Sequence, residues 1–135
     1  MVKITATYTG QKHCQAEHEP SKSILQTDAP TDNQGRGESF SPTDLVATAF
    51  GTCILTTIAI FAEKDGIDVT HSRMTVIKEM TPPPRRIASL KTIIEMPKRI
   101  PENYREKIEI YANNCPVKKS LHPDVDASIE IRYTI

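Results

Sequence analysis

Residues 45–62, LVATAFGTCILTTIAIFA, form an 18-residue stretch without a single charge. As an α-helix it would extend about 27 Å, which reaches the lower edge of what spans a bilayer. Its content argues for a different fate. Thr48, Thr52, Thr56, Thr57 and Gly51 interrupt the apolar surface, and Ser41-Pro42-Thr43-Asp44 just ahead is a helix start of the soluble kind. There Ser41 serves as N-cap, Pro42 takes the first helical position and Asp44 falls near the capping-box position. Gly66, after Lys64-Asp65, supplies a C-terminal stop. We therefore expect one buried central helix and no membrane span, around which the rest of the chain must arrange itself.

The flanking segments alternate as strands do. Val2, Ile4, Ala6 and Tyr8 interleave with Lys3, Thr5 and Thr7 up to Gly10, a more polar strand is expected over 12–18, and a short one over 23–27. Together these suggest an antiparallel meander. Residues 28–40, rich in Asp, Pro, Asn, Gln and Gly, read as a loop able to shape the mouth of a site. Beyond the helix, strands are expected over 68–80 and 86–96, joined by Pro82-Pro83-Pro84. Ala88, Leu90, Thr92, Ile94 and Met96 share one face. A second helix starts at about Pro101, with Tyr104, Ile108, Tyr111 and Ala112 on one stripe. Asn113 and Asn114 break it, and Asn114 followed by Cys115-Pro116 opens a further short helix with Asn114 as its cap. Ile129, Ile131, Tyr133 and Ile135 make the last strand. The sum is a single α+β domain over 1–135, antiparallel strands packed on a buried helix.

Seventeen basic residues balance seventeen acidic ones. No net field draws such a chain to nucleic acid or to an anionic membrane, so neither is expected as a partner. The first residues lack the uninterrupted apolar stretch of a signal peptide, and three irregularly spaced cysteines do not make an extracellular disulfide framework. A cytoplasmic protein with reduced thiols is the expectation.

Two of those thiols stand in informative places. Cys53 lies in the middle of the uncharged run, where a cysteine is either inert packing or a guarded nucleophile. Cys115 opens Cys115-Pro116-Val117-Lys118-Lys119-Ser120-Leu121, where helix-start N–H groups favour thiolate over thiol. If the fold brings the two sulfurs together, the chain is a thiol redox enzyme. Cys14, in a polar strand, reads as a bystander. His13, Cys14 and His18 include no paired Cys-x-x-Cys or His-x-x-x-His, so no metal and no other cofactor is expected. His122 suits the C-terminal end of the last short helix as a cation and needs no catalytic role.

Ser41-Pro42-Thr43-Asp44-Leu45-Val46-Ala47, then Gly51-Thr52-Cys53, and Cys115-Pro116-Val117-Lys118-Lys119-Ser120-Leu121 some 62 residues later resemble the OsmC/Ohr family of osmotically inducible and organic hydroperoxide resistance proteins. The resemblance covers essentially the whole chain and points to the less characterised OsmC-like branch. It implies an intertwined homodimer, with the central helices wrapped by both subunits' sheets and two sites at the interface. It also implies that Cys53 matches the peroxidatic cysteine and Cys115 the resolving one. The implied substrate is an organic hydroperoxide and the implied reductant a dithiol, typically a dihydrolipoyl group.

Two positions depart from the family's dedicated peroxidases. Where those carry a glutamate that orients an arginine onto the sulfur, this chain has Thr43, with Asp44 one place later. Nearest the arginine's place, in Gly10-Gln11-Lys12-His13-Cys14, stands Lys12, which lacks arginine's two-pronged contact. Arg36, between Gly35 and Gly37, is a second candidate cation, and Asp44 is a candidate acid or simply a capping residue. Two functions remain open at this level. One is thiol-dependent hydroperoxide reduction through Cys53 and Cys115. The other is a non-catalytic dimeric module binding a small hydrophobic or thiol-bearing ligand.

Overall fold

The computed structural model describes residues 1–135, which divide into two compact units, 1–46 and 47–135. In the first, β1 (Ile4–Gly10), β2 (His13–His18) and β3 (Ser23–Asp28) form an antiparallel meander in the order β1-β2-β3. Gln11 and Lys12 close the first hairpin with φ of 53° and 58°, after Gly10 at 93°. A two-residue turn of that hand matches the twist of the strands it joins. The Lys12 amide also donates to the Tyr8 hydroxyl at 3.1 Å. Register places Ile4, Ala6 and Tyr8 on the same face as Ala16, Cys14 and Leu25. That is the apolar face the alternation calls for.

The central helix, α1 (Pro42–Lys64), begins in the first unit and continues into the second. Its start is a reciprocal capping box. Asp44 N–H donates to Ser41 Oγ at 3.1 Å, and Ser41 N–H donates to Asp44 Oδ2 at 2.9 Å. At its end the Gly66 amide reaches the Glu63 carbonyl and the Ile67 amide the Ala62 carbonyl, with Gly66 at φ +74°. This paired closure needs a left-handed residue, and glycine takes it without a Cβ penalty.

In the second unit, β4 (Arg73–Met80) pairs antiparallel with β5 (Ile87–Met96). The sixth strand, β6 (Ile129–Tyr133), runs parallel to β5, contrary to the all-antiparallel expectation. The reason is topological. The segment between them holds α2 (Arg105–Asn113) and α3 (Pro116–Ser120), a helical crossover that returns the chain in the same direction. Leu90, Thr92, Ile94 and Met96 of β5 are all but fully buried on one face. Gly51 of α1 lies directly on β4, since a Cβ there would come within 2.6 Å of Met74 Sδ and 2.9 Å of Val76 Cγ2. Phe50, Ile54 and Ile58 of α1, with Ile108 and Ala112 of α2, complete this core. Burying each large apolar side chain contributes about 1.5–3 kcal/mol. The other sheet face carries Arg73, Glu79, Lys91 and Glu95, paired as Arg73–Glu95 and Lys91–Glu79. By length and composition α1 would suffice to cross a membrane, yet here it is the core helix.

Several strands begin later than expected: β4 starts at Arg73 where a strand from 68 was anticipated, because Asp68 instead accepts the Thr70 amide in a turn. The second helix is likewise preceded by a 3-10 turn over Glu102–Tyr104.

Candidate functional site

Cys53 occupies the middle of α1 and is partly buried, with its Sγ 3.9 Å from Thr57 Oγ1 one turn along. Thr57 is itself buried, so the thiol has a hydroxyl neighbour inside an otherwise apolar wall. Cys115 is completely buried between α2 and α3. Its sulfur, not the Asn114 side chain, caps α3: Sγ accepts the Lys118 amide at 3.3 Å. Asn114 instead closes α2, and its side-chain amide donates to the Ile110 carbonyl at 2.8 Å. Pro116 at the first helical position carried the signal for this, because the cap is the residue before it.

Burial pushes the Cys115 thiol up and Cys53 adds to the push, while the Lys118 and Val117 amides act the other way. Both sulfurs are free thiols. Cys53 is thus a partly accessible sulfur, and Cys115 a fully buried one in which burial outweighs the helix-start amides that were expected to favour its thiolate.

The remaining candidates lie in the first unit. Lys12 sits in the β1–β2 turn and lines a pocket of about 290 Å³ with Tyr8, Cys14, Thr27, Asp28 and Pro42. Arg36 is about half exposed, 3.8 Å from Glu38. Asp44 is committed to the capping box described above, bonded at both its carboxylate and its amide.

A pair that sequence reasoning did not single out lies beside them. Asp28, 1% exposed, has Oδ1 2.6 Å from His13 Nδ1 and accepts the Glu38 amide on Oδ2 at 2.9 Å. The His13 hydrogen bond, with the Glu38 amide and the charges of His13 and Arg36, holds this carboxyl below its usual range against the cost of burial. Only the fold joins these residues, fifteen apart in sequence. No group of three His, Cys, Asp or Glu side chains gathers in a way that would hold a metal ion.

The sequence-family model described as OsmC-like protein matches residues 35–130. No curated protein matches the sequence. Among solved structures, a protein from Psychrobacter arcticus 273-4 described as an osmotic stress induced and detoxification response protein is 38% identical, with a TM-score of 0.92 over 98% of this chain and 96% of that one. An organic hydroperoxide resistance protein OsmC from Legionella pneumophila is similar in fold at 18% identity, with a TM-score of 0.77 over 98% and 96% of the two chains. The organic hydroperoxide resistance protein OhrB of Bacillus subtilis is also similar in fold, at 16% identity and a TM-score of 0.69 over 98% of each chain. With a family model spanning more than two thirds of its length and a fold shared from end to end, the chain belongs to the OsmC/Ohr family.

Proposed function

We propose that this protein reduces organic hydroperoxides with Cys53 as the attacking thiolate and Cys115 as the resolving thiol. The observation that supports this reading is that Cys53 influences the ionisation of the buried Cys115, from a distant part of the chain, while both are free thiols. Cys53 attacks a peroxide oxygen, the O–O bond breaks, and the departing alkoxide takes a proton and leaves as an alcohol. Sulfur, oxidised by two electrons, is now a sulfenic acid. Cys115 attacks that sulfur, an S–S bond forms, and water leaves with the thiol proton. A dithiol reductant then exchanges with the disulfide, restores both thiols and departs as its own disulfide. Lys12 and Arg36 are the cations proposed to offset the cost of a thiolate in an apolar helix. Solved relatives bearing hydroperoxide resistance names, one with captopril in an active site, support the substrate class and a site open to small thiol-bearing molecules.

The working unit is proposed to be a homodimer. Ile4, Tyr8 and Leu25, on the apolar face of the first sheet, remain 66%, 64% and 45% exposed, and Ile60 and Phe61 of α1 remain 55% and 40% exposed. Surface of this kind calls for cover, and a second copy of the chain supplies it symmetrically. Sedimentation at micromolar concentration should show a dimer, and a stable folded monomer would remove this assembly.

The deciding experiment is treatment of the reduced protein with one equivalent of cumene hydroperoxide, followed by alkylation and peptide mapping. A Cys53–Cys115 disulfide with Cys14 still alkylated is expected. If Cys53 and Cys115 both alkylate fully after exposure, the reading as a dimeric ligand-binding module takes its place.

A further inference from the structure

The buried stripe of α1 runs from Ala47 to Ala62, and Thr57, 8% exposed, is the one polar side chain in it. Core-facing helix positions of this kind take apolar residues. Thr52 and Thr56, both exposed, return their hydroxyls to their own helix: Thr52 Oγ1 donates to the Thr48 carbonyl at 2.8 Å and Thr56 Oγ1 to the Thr52 carbonyl at 3.0 Å. Such bonding to the residue four back is the common arrangement for a threonine inside a helix. Thr57 makes no such bond. Its hydroxyl has a single hydrogen-bond partner, the Cys53 sulfur at 3.9 Å, one turn back. A spacing of four puts the two side chains on the same face, and both lie in the second unit, so the helix itself sets their separation.

A hydroxyl buried beside a neutral thiol at that range loses its water and gains little in return, so valine, of the same shape, would serve the core at least as well. Positions where a sequence breaks a packing rule are where function is expected. What the hydroxyl can do depends on the state of the sulfur. A thiol donates and accepts weakly, whereas a thiolate only accepts, so once Cys53 ionises Thr57 must be the donor. Hydrogen bonds to an ionised acceptor are shorter and stronger than neutral ones, and the contact therefore tightens as the charge appears. We propose that Thr57 is the hydrogen-bond donor to the Cys53 thiolate and favours the reactive form of the sulfur from within its own helix. This rests on the reading of Cys53 as the attacking thiolate. Of the elements around α1, β4 meets it at Gly51 through Met74 and Val76, which do not titrate. Cys115, at the start of α3, is a titratable group whose ionisation Cys53 influences, so the test is also made without it.

The test measures the rate of Cys53 alkylation by iodoacetamide across pH 6–11, by peptide mass spectrometry, in full-length wild type, Thr57→Val, Thr57→Ala and Thr57→Ser. Alkylation reports thiolate directly and needs no peroxidase activity. Thr57→Val should slow Cys53 at pH 7 by about fivefold and raise its pH midpoint, with the gap to wild type closing as pH passes both midpoints. Thr57→Ala should behave alike, and it carries the decision if Thr57→Val fails to fold. Thr57→Ser keeps the hydroxyl and should recover most of the rate. The same comparison in a Cys115→Ser background should give the same upward move. An unmoved midpoint in the folded hydroxyl-free variants overturns the proposal, as does a slowing by one factor at every pH, which hindrance alone would give. So does a Thr57→Ser protein as slow as Thr57→Val, or a shift that disappears in the Cys115→Ser background. If the wild type ignores hydroperoxide while Cys53 alkylation responds to Thr57 in the expected way, the peroxidase reading fails and the donor role stands.

Discussion

Cys115 caps α3 with its own sulfur, which accepts the Lys118 amide at 3.3 Å. One atom thus serves local folding and the proposed redox step together. Serine is among the preferred caps and alanine is not. Cys115→Ser should therefore be more stable than Cys115→Ala by about 1 kcal/mol in urea unfolding, while both lose the intramolecular disulfide. After peroxide treatment each should leave a Cys53 sulfenic acid that dimedone traps. A Cys115→Ala variant as stable as Cys115→Ser would deny the capping role.

Lys12 and Arg36 separate by charge removal. Lys12→Met should slow Cys53 oxidation by about tenfold or more, since losing one nearby charge shifts a thiol pKa by roughly a unit or more. Arg36, already near Glu38 and about half exposed, should matter less when changed to Met. Stopped-flow oxidation by cumene hydroperoxide across pH 6–10 measures both. An unchanged rate and midpoint in Lys12→Met would make Lys12 a solvated turn residue.

Stability should decline in alkali. Burial pushes Cys115 up from its ordinary 9.0, and burial together with the Asp65 hydrogen bond pushes Tyr104 far above its ordinary 10.0. Above these ordinary values the unfolded chain has released protons that the folded chain still holds. Stability present below pH 9 is then lost progressively as pH rises. Urea midpoints should fall between pH 9 and 11, and Tyr104→Phe should flatten the decline above pH 10. A flat profile in the wild type would contradict the burial of both groups.

Gly51 sets how closely α1 approaches β4. Replacing it with alanine gains helix propensity, about 0.5–1 kcal/mol. The new methyl, however, meets Val76 Cγ2 at 2.9 Å, and a branched strand side chain yields less readily than the end of Met74. Overpacking of this kind costs about 1–3 kcal/mol, so Gly51→Ala should be destabilising by about 1 kcal/mol and Gly51→Val by more. A Gly51→Ala protein more stable than wild type would show that the helix has room to lift.

What could be read directly from the residues was whatever closes within a few positions. Ser41 with Asp44, three apart, makes the capping box, Gly66 stops α1, and the period-two pattern of 2–8 and 88–96 becomes β1 and β5. These depend on local hydrogen bonds and side-chain period, which neighbouring residues specify by themselves. The two cysteine contexts were legible for the same reason, down to the proline that marks Cys115 as a helix start.

The tertiary structure decided the rest. That β6 lies parallel to β5 depends on which edge the chain reaches after α2 and α3, and alternation of side chains is blind to direction. That Asp28 binds His13, and that Cys53 bears on the ionisation of Cys115, join residues that no local pattern links. Local rules name the groups able to react, and packing alone chooses which of them meet.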